Sequence, residues 1–408
     1  MSIEQAEESA LTDRRGGGPL ANAEPPPPGF LRQAVRDTVS SRTARFGLAW
    51  LVVLALSAVF APFLANTHPI ALKTDSGWSS PLLHALHPTD VLLLIAFVES
   101  LVLLVLRQFT FLKGAGIVSL TLLVLAYPAY RFVRPPATED YTRFRTLIAE
   151  GHVQTVWMTP IPYSPTDRLR DDPRARLLRP SRAHYLGTDT NGADVASNIL
   201  HASRIALSIG FISTGLSVVI GVVIGGFMGY YAGIFDLLGM RLIEIFEAIP
   251  RLLLLITITA FVQERNIYLM MVVIGITGWT GYARYLRGEF FSLRKQDFVQ
   301  AAIAAGLPER SVVFRHLLPN GLTPVLVSTT FSVASAIVLE STLTFLGLGL
   351  VDEASWGGML NQARAGGSGF VWWIAMFPGL AIFLTVFSYN LVGEAIRDAL
   401  DPKLQSRA

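Results

Sequence analysis

Eight stretches of this chain are apolar over enough residues to exclude almost every soluble fold. A helix crossing the hydrocarbon of a bilayer needs about 20 mostly apolar residues. The candidates are Phe46–Leu64, Val91–Leu106, Gly116–Val133, Ile205–Tyr231, Leu242–Val262, Ile267–Leu286, Leu322–Leu346 and Val371–Ala395. The pair within 91–133 is the weakest, because its first member is short and carries Glu99. Composition agrees: 51% of residues are apolar and 15% charged, where about 25% charged is usual, and mean hydropathy is +0.47. The fold class expected is therefore an all-α membrane protein with about eight transmembrane helices. Disordered chains, coiled coils and almost any soluble enzyme are excluded. The chain has no cysteine, which removes disulfides, thiol catalysis and thiolate metal sites.

Basic residues beside the apolar runs give the orientation. Arg32, Arg36, Arg42 and Arg45 precede the first run, and Arg107 and Lys113 sit between the paired runs. Arg287, Arg294, Lys295, Arg310 and Arg315 occupy the 287–321 connection, and Arg397, Lys403 and Arg407 close the chain. With eight helices all of these fall on one side, the cytoplasmic one, as do both termini. The net charge of +3 is too mild and too membrane-bound in its placement to indicate nucleic acid. Residues 1–45 read as a cytoplasmic, largely disordered tail without a cleavable signal peptide. Its 30–44 portion is either a short helix on the inner membrane surface or a disordered basic flank. The first transmembrane helix (46–64), a hairpin (91–133), an outer loop (134–201), a transmembrane core (202–396) and a cytoplasmic tail (397–408) follow.

The most informative connection is 294–320, RKQDFVQAAIAAGLPERSVVFRHLLPN. Asp297 is a good N-cap and Gln300 reaches back to it, a variant of the capping box. The helix ends at Gly306, the residue preferred at a left-handed C′ position. Pro308 and Glu309 open a second helix, and Pro319 stops it. The result expected is a helix–turn–helix bracket outside the lipid. Its first helix, rich in Ala301, Ala302, Ala304 and Ala305, suits either docking of another backbone or packing on its own bundle.

The pattern Gln300-Ala301-Ala302, Gly306 and Leu318-Pro319 resembles the EAA loop of ABC importer permeases. The likeness continues in Leu186-Gly187-Thr188-Asp189 with Gly192 and Asp194, in Ala248-Ile249-Pro250, and in Gly278-Trp279 with Tyr282-Ala283-Arg284. It extends through Phe314-Arg315-His316, Glu340 with Phe345-Leu346-Gly347-Leu348-Gly349, Ser355-Trp356-Gly357, Phe377-Pro378-Gly379 and Arg397-Asp398-Ala399-Leu400-Asp401-Pro402. These residues resemble the second, C-type permease subunit of dipeptide and oligopeptide importers. The resemblance implies a type I importer bundle with a MetI-like core. It implies a sister permease completing a heterodimer, two cytoplasmic ATPases that bind ATP and Mg, and an outer substrate-binding protein. It implies residence in a bacterial inner membrane, with peptides or similar small polar nutrients as cargo and no cofactor held by this chain. Asp297, Gln300, Ala301, Ala302, Gly306, Arg315, His316 and Pro319 would couple to the ATPase. Gly187, Asp189, Gly192 and Asp194 form an outer-face motif, and Glu247, Pro250, Glu340 and Gly347 are gating or packing candidates. Two departures stand out: Gln300 replaces the family glutamate, and Ala193 stands where arginine is usual. The family usually has six helices, so 91–133 reads as an insertion packed at the periphery.

Glu99 lies mid-run, where an ionised acid costs roughly 2.5–3.5 kcal/mol. Antiparallel pairing about residue 110 sets it opposite Thr121, which suits a hydrogen-bonded structural acid. A working carboxylate of an ion-coupled transporter is the competing reading. Trp356, Trp372 and Trp373 suit an outer aromatic belt, and Gly221, Gly225 and Gly229 have the spacing of a close helix contact. No G-x-x-x-x-G-K-[ST] loop occurs, so the chain is not itself expected to be an ATPase or another enzyme.

Overall fold

The computed structural model describes residues 38–400 apart from 76, 107–110, 136–139, 152, 170–173, 263–265, 350–352 and 366–368. Arg32, Arg36, Arg107, Arg265, the 401–408 end and most of the N-terminal tail lie outside the described residues. In chain order the elements are α1 (Arg42–Leu64), β1 (Ala71–Thr74), β2 (Gly77–Ser79), α2 (Pro81–His84), α3 (Pro88–Leu106), α4 (Phe111–Phe132), α5 (Arg143–Ala149) and β3 (Thr155–Trp157). They continue with α6 (Val195–Tyr231), α7 (Gly233–Ala248), α8 (Arg251–Phe261), α9 (Ile267–Thr277), α10 (Trp279–Leu293) and α11 (Asp297–Ala304). A short α12 (Glu309–Ser311) runs through a π-helical turn, Val312–Leu317, into α13 (Leu318–Phe345), followed by α14 (Trp356–Ala365) and α15 (Trp372–Leu400).

Among the described residues five helices have the length and apolarity to cross a membrane: α1, α3, α6, the continuous 309–345 helix and α15. The expected eight are not found as unbroken helices. The 242–262 run is divided at Ile249-Pro250 into α7 and α8, and the 267–286 run at Gly278 into α9 and α10. Apolarity was read correctly in both runs, but proline and a helix-terminating glycine interrupt the hydrogen-bond ladder within them. α4 is a 22-residue helix, and its Gly116–Phe132 part is apolar, in line with the 116–133 run.

The 37-residue α6 is the axis of the bundle, flanked by α1, α9, α10 and α13. Small residues let α10 approach it. A Cβ on Gly225 would lie 2.3 Å from the Ala283 carbonyl oxygen, and one on Gly229 would lie 2.6 Å from Phe290 Cβ. The glycine spacing in the sequence thus marks a true backbone contact. A second layer, α14 and α15, closes over α13 around Ile337, Trp356 and Ile374.

The hairpin α3–α4 stands at the edge, with α3 packed on α1 and α4 packed on α3. It is anchored at one end by a buried ion pair between Asp90 and Arg204 of α6. Arg204 also donates to the Ala58 and Val59 carbonyls of α1, so one guanidinium ties three helices. Sequence places Arg204 just ahead of the apolar 205–231 run, but α6 begins at Val195, so Arg204 lies inside the helix. Outside the bundle, the three strands form an antiparallel sheet in the order β2-β1-β3, with Leu72 opposite both Ser79 and Val156. Strands of three or four residues carry too little alternation to be read from sequence.

Candidate coupling and gating sites

The 294–320 connection is built on α11. Gln296, not Asp297, occupies its N-cap, without a side-chain cap, and Asp297 is the first helical residue. Gln300 therefore does not close a capping box; its Nε2 donates to the Arg294 carbonyl at 2.6 Å. A neutral amide can make this bond and a carboxylate cannot, which is what glutamine at this position achieves. Gly306 adopts φ +76°, and Leu307 N–H donates to the Ala302 carbonyl at 3.2 Å, so α11 ends in a Schellman-type turn as expected.

The two faces of α11 differ. Val299 is fully buried and Ala302 is 7% exposed, both turned toward the bundle. Gln300, Ala301, Ala304 and Ala305 are exposed, and so are Ile303 and the following Leu307. Of the alanines expected to couple, Ala302 faces inward while Ala301 is exposed.

Pro319 does not end the second helix. It sits in the first turn of α13, and the chain passes through it without a break. A proline has no N–H to give the residue four before it. The π-helical turn just before absorbs this, with Leu318 N–H bonding the Val313 carbonyl five residues back. The expected bracket is therefore a short helix joined by one turn to a rigid arm that continues into the membrane. Arg315 lies exposed on that turn, and the His316 ring is 6.5 Å from Phe298 of α11.

Ion pairs tie α7 to α10. Arg284 bonds Glu247, and Arg287 Nη2 donates to Asp236 at 2.8 Å. Among the described residues Glu244 pairs only within its own helix, with Arg241 at 2.6 Å. Thus Glu247 is a cross-helix tie, while Pro250 sits at the break just above it.

The 187–194 motif folds as one knot. Asp194 caps α6 by accepting from Ser197 N–H at 2.9 Å, and its other oxygen meets His184 Nδ1 at 2.9 Å. Asp189 accepts from the N–H groups of Asn191 and Ala193, both at 2.8 Å. Burial pushes the Asp189 carboxyl above its ordinary range, although those N–H groups pull the other way. Gly187 and Gly192 both have positive φ, and a Cβ on Gly187 would come 2.6 Å from the Leu178 carbonyl oxygen. Ala193, in the usual arginine position, is buried within this knot. Trp373 and Trp356 do not join an aromatic belt. Both are buried, with indole N–H groups donating to Thr188 O at 3.1 Å and Ile199 O at 3.2 Å; Trp372 alone of the three is exposed.

Glu340, near the C-terminal end of α13, is 2% exposed. It accepts from Ser355 and Thr344 hydroxyls at 2.8 and 2.9 Å and from Ser341 at 3.2 Å. Ser355 immediately precedes α14, so this carboxyl group pins α14 to α13. Gly347, at φ +80°, turns the chain out of α13 on the way. Arg251, which follows the Pro250 break, drew no notice as a sequence feature because it looks like any flanking cation.

The 221–406 stretch matches the profile of the family described as "binding-protein-dependent transport system inner membrane component", and 29–82 matches the "N-terminal TM domain of oligopeptide transport permease C". An oligopeptide transport system permease protein OppC of Haemophilus influenzae is 38% identical over 54% of this chain and 70% of that one. The chain belongs to the binding-protein-dependent permease family. Among curated relatives, the dipeptide permease DppC of Bacillus subtilis is 35% identical over 59% of this chain and 76% of its own. The glutathione permease GsiD of Pectobacterium atrosepticum is 36% identical over 60% and 78%. A solved inward-facing methionine ABC transporter is a distant likeness, with TM-score 0.39 and 17% identity over 49% of this chain and 96% of that one. Within this permease the matched segment contains both helix breaks, α11, the 309–345 arm and the Glu340 pin.

Proposed function

We propose that this permease is one of two membrane subunits of an ATP-driven importer for peptides or related small polar nutrients. The observation that carries the reading is the exposed, small and apolar face of α11, joined by a single turn to an arm that runs unbroken into the membrane. A partner that pushes on Ala301, Ala304 and Ala305 tilts that arm as a rigid lever. The relatives named for oligopeptides, dipeptides and glutathione supply the cargo class.

The machinery follows from that reading. Two cytoplasmic ATPases hold ATP and Mg, because this chain has no phosphate loop and is not itself the enzyme. A sister permease completes the path as a heterodimer, and an outer binding protein delivers substrate. The chain lies in a bacterial inner membrane with both termini in the cytoplasm. ATP binding draws the ATPases together and shifts the bundle from inward-open to outward-open by differential affinity for the two states.

The test is uptake of a labelled tripeptide by cells carrying the full system, with and without a hydrolysis-dead ATPase. Uptake lost with the dead ATPase supports the reading. Uptake that persists overturns it in favour of an ion-coupled transporter.

A further inference from the structure

Two helix breaks of this chain fall at the same depth. α8 runs outward from Pro250 for 11 residues, and α9 runs inward for 11 residues to Gly278. At about 1.5 Å per residue each is roughly 16 Å long, half the ~30 Å hydrocarbon core. Both breaks therefore lie near the middle of the bilayer. Irregular backbone persists there only where protein buries it or a watery cavity borders it. Ala248, Ile249 and Pro250 are exposed, so the first break opens on an uncovered face.

Arg251 stands at this point. Its Nη2 donates to the Ile274 carbonyl at 2.9 Å and its Nε to Thr277 Oγ1 at 3.4 Å, which ties the start of α8 to the end of α9. Nη1 has no partner among the described residues, and no carboxylate pairs with this guanidinium; Glu247, one turn below, is taken by Arg284. A cation at this depth costs roughly 2.5–3.5 kcal/mol on insertion scales, so it persists for a reason. α8 starts without a side-chain cap, leaving its first N–H groups and the positive end of its dipole at the same place.

We infer that Arg251 and the uncapped start of α8 form a carboxylate-recognition site on the translocation path. Its ligand is the C-terminal carboxylate of a peptide passing the midplane. Guanidinium and helix-start N–H groups are the donors that suit a carboxylate in a dry setting. This inference rests on the peptide-import reading. Without such a ligand Arg251 is only a clamp that caps α9.

The chain has no cysteine, so Ile249→Cys places one thiol at the exposed break. In the complex assembled with its partner subunits, the thiol's rates with a negatively and a positively charged methanethiosulfonate reagent are compared. The site predicts that the negative reagent reacts about fivefold to tenfold faster relative to its rate on a free thiol, and that Arg251→Gln removes the preference. Trialanine should slow the labelling and trialanine amide should not. Equal corrected rates in the chain that retains Arg251 overturn the site whatever the cargo is, and that comparison stands even where Arg251→Gln does not assemble. An anion preference with no protection by trialanine overturns the peptide carboxylate as the ligand. Failure of the uptake test above, by contrast, strikes the import reading itself.

Discussion

Thr121 of α4 donates a 2.9 Å hydrogen bond to Glu99 Oε1 of α3, across the peripheral hairpin. The bond joins the one acid within these two runs to its opposite helix rather than to a path through the core. Glu99→Gln keeps the accepting oxygen, so uptake should be unchanged and a protonophore should affect wild type and variant alike. Loss of uptake in Glu99→Gln, with normal amounts of protein, would instead mark Glu99 as a working carboxylate.

The hairpin depends on Arg204 and Asp90, whose side chains are 15% and 5% exposed. Removing one member of a buried pair strands the other charge and costs about 3–5 kcal/mol. Asp90→Ala should lower the thermal unfolding midpoint of the detergent-solubilised complex sharply. The double variant Arg204→Met with Asp90→Leu should recover much of the loss. Additive losses would show that the two residues do not act as a pair.

The α6–α10 contact distinguishes glycines that look alike in sequence. Gly225→Ala would place a methyl 2.3 Å from the Ala283 carbonyl oxygen, whereas a Cβ on Gly215 meets nothing within 4 Å. Gly225→Ala should abolish assembly of the complex, read by size-exclusion chromatography. Gly215→Ala should be tolerated and gain up to about 1 kcal/mol from better helix propensity.

Gly306 carries a smaller load. Its φ of +76° sits in open space, so Gly306→Ala adds only the left-handed backbone penalty, about 1–2 kcal/mol. Uptake should fall while the amount of complex is unchanged, and Gly306→Asn should restore most of it, because asparagine tolerates this region. Equal activity of all three would show that the α11 turn is not part of the coupling path.

What could be read in the sequence was whatever a local pattern specifies. The apolar runs, the Glu99–Thr121 pairing, the glycine contact and the Gly306 turn all follow from spacing alone. The helix count did not, because Pro250 and Gly278 interrupt runs whose apolarity is continuous. Pro319 read as a stop because the i−4 rule has no place for a π turn that skips the missing donor. Asp297 was a reasonable cap, but the chain enters α11 one residue earlier. Arg204, Arg251, Trp356 and Trp373 took their roles from partners far away in sequence, which no window of residues contains.

The account's central claim is that α11 transmits work from an ATPase through its exposed face. Single cysteines at Ala301, Ala305 and the inward-facing Ala302 can be paired with cysteines along the cleft of the partner ATPase. Crosslinking should be strong at 301 and 305, weak at 302, and should change in yield when ATP is added. If no exposed position crosslinks while uptake continues without the ATPase, α11 is not a coupling element and the account is wrong.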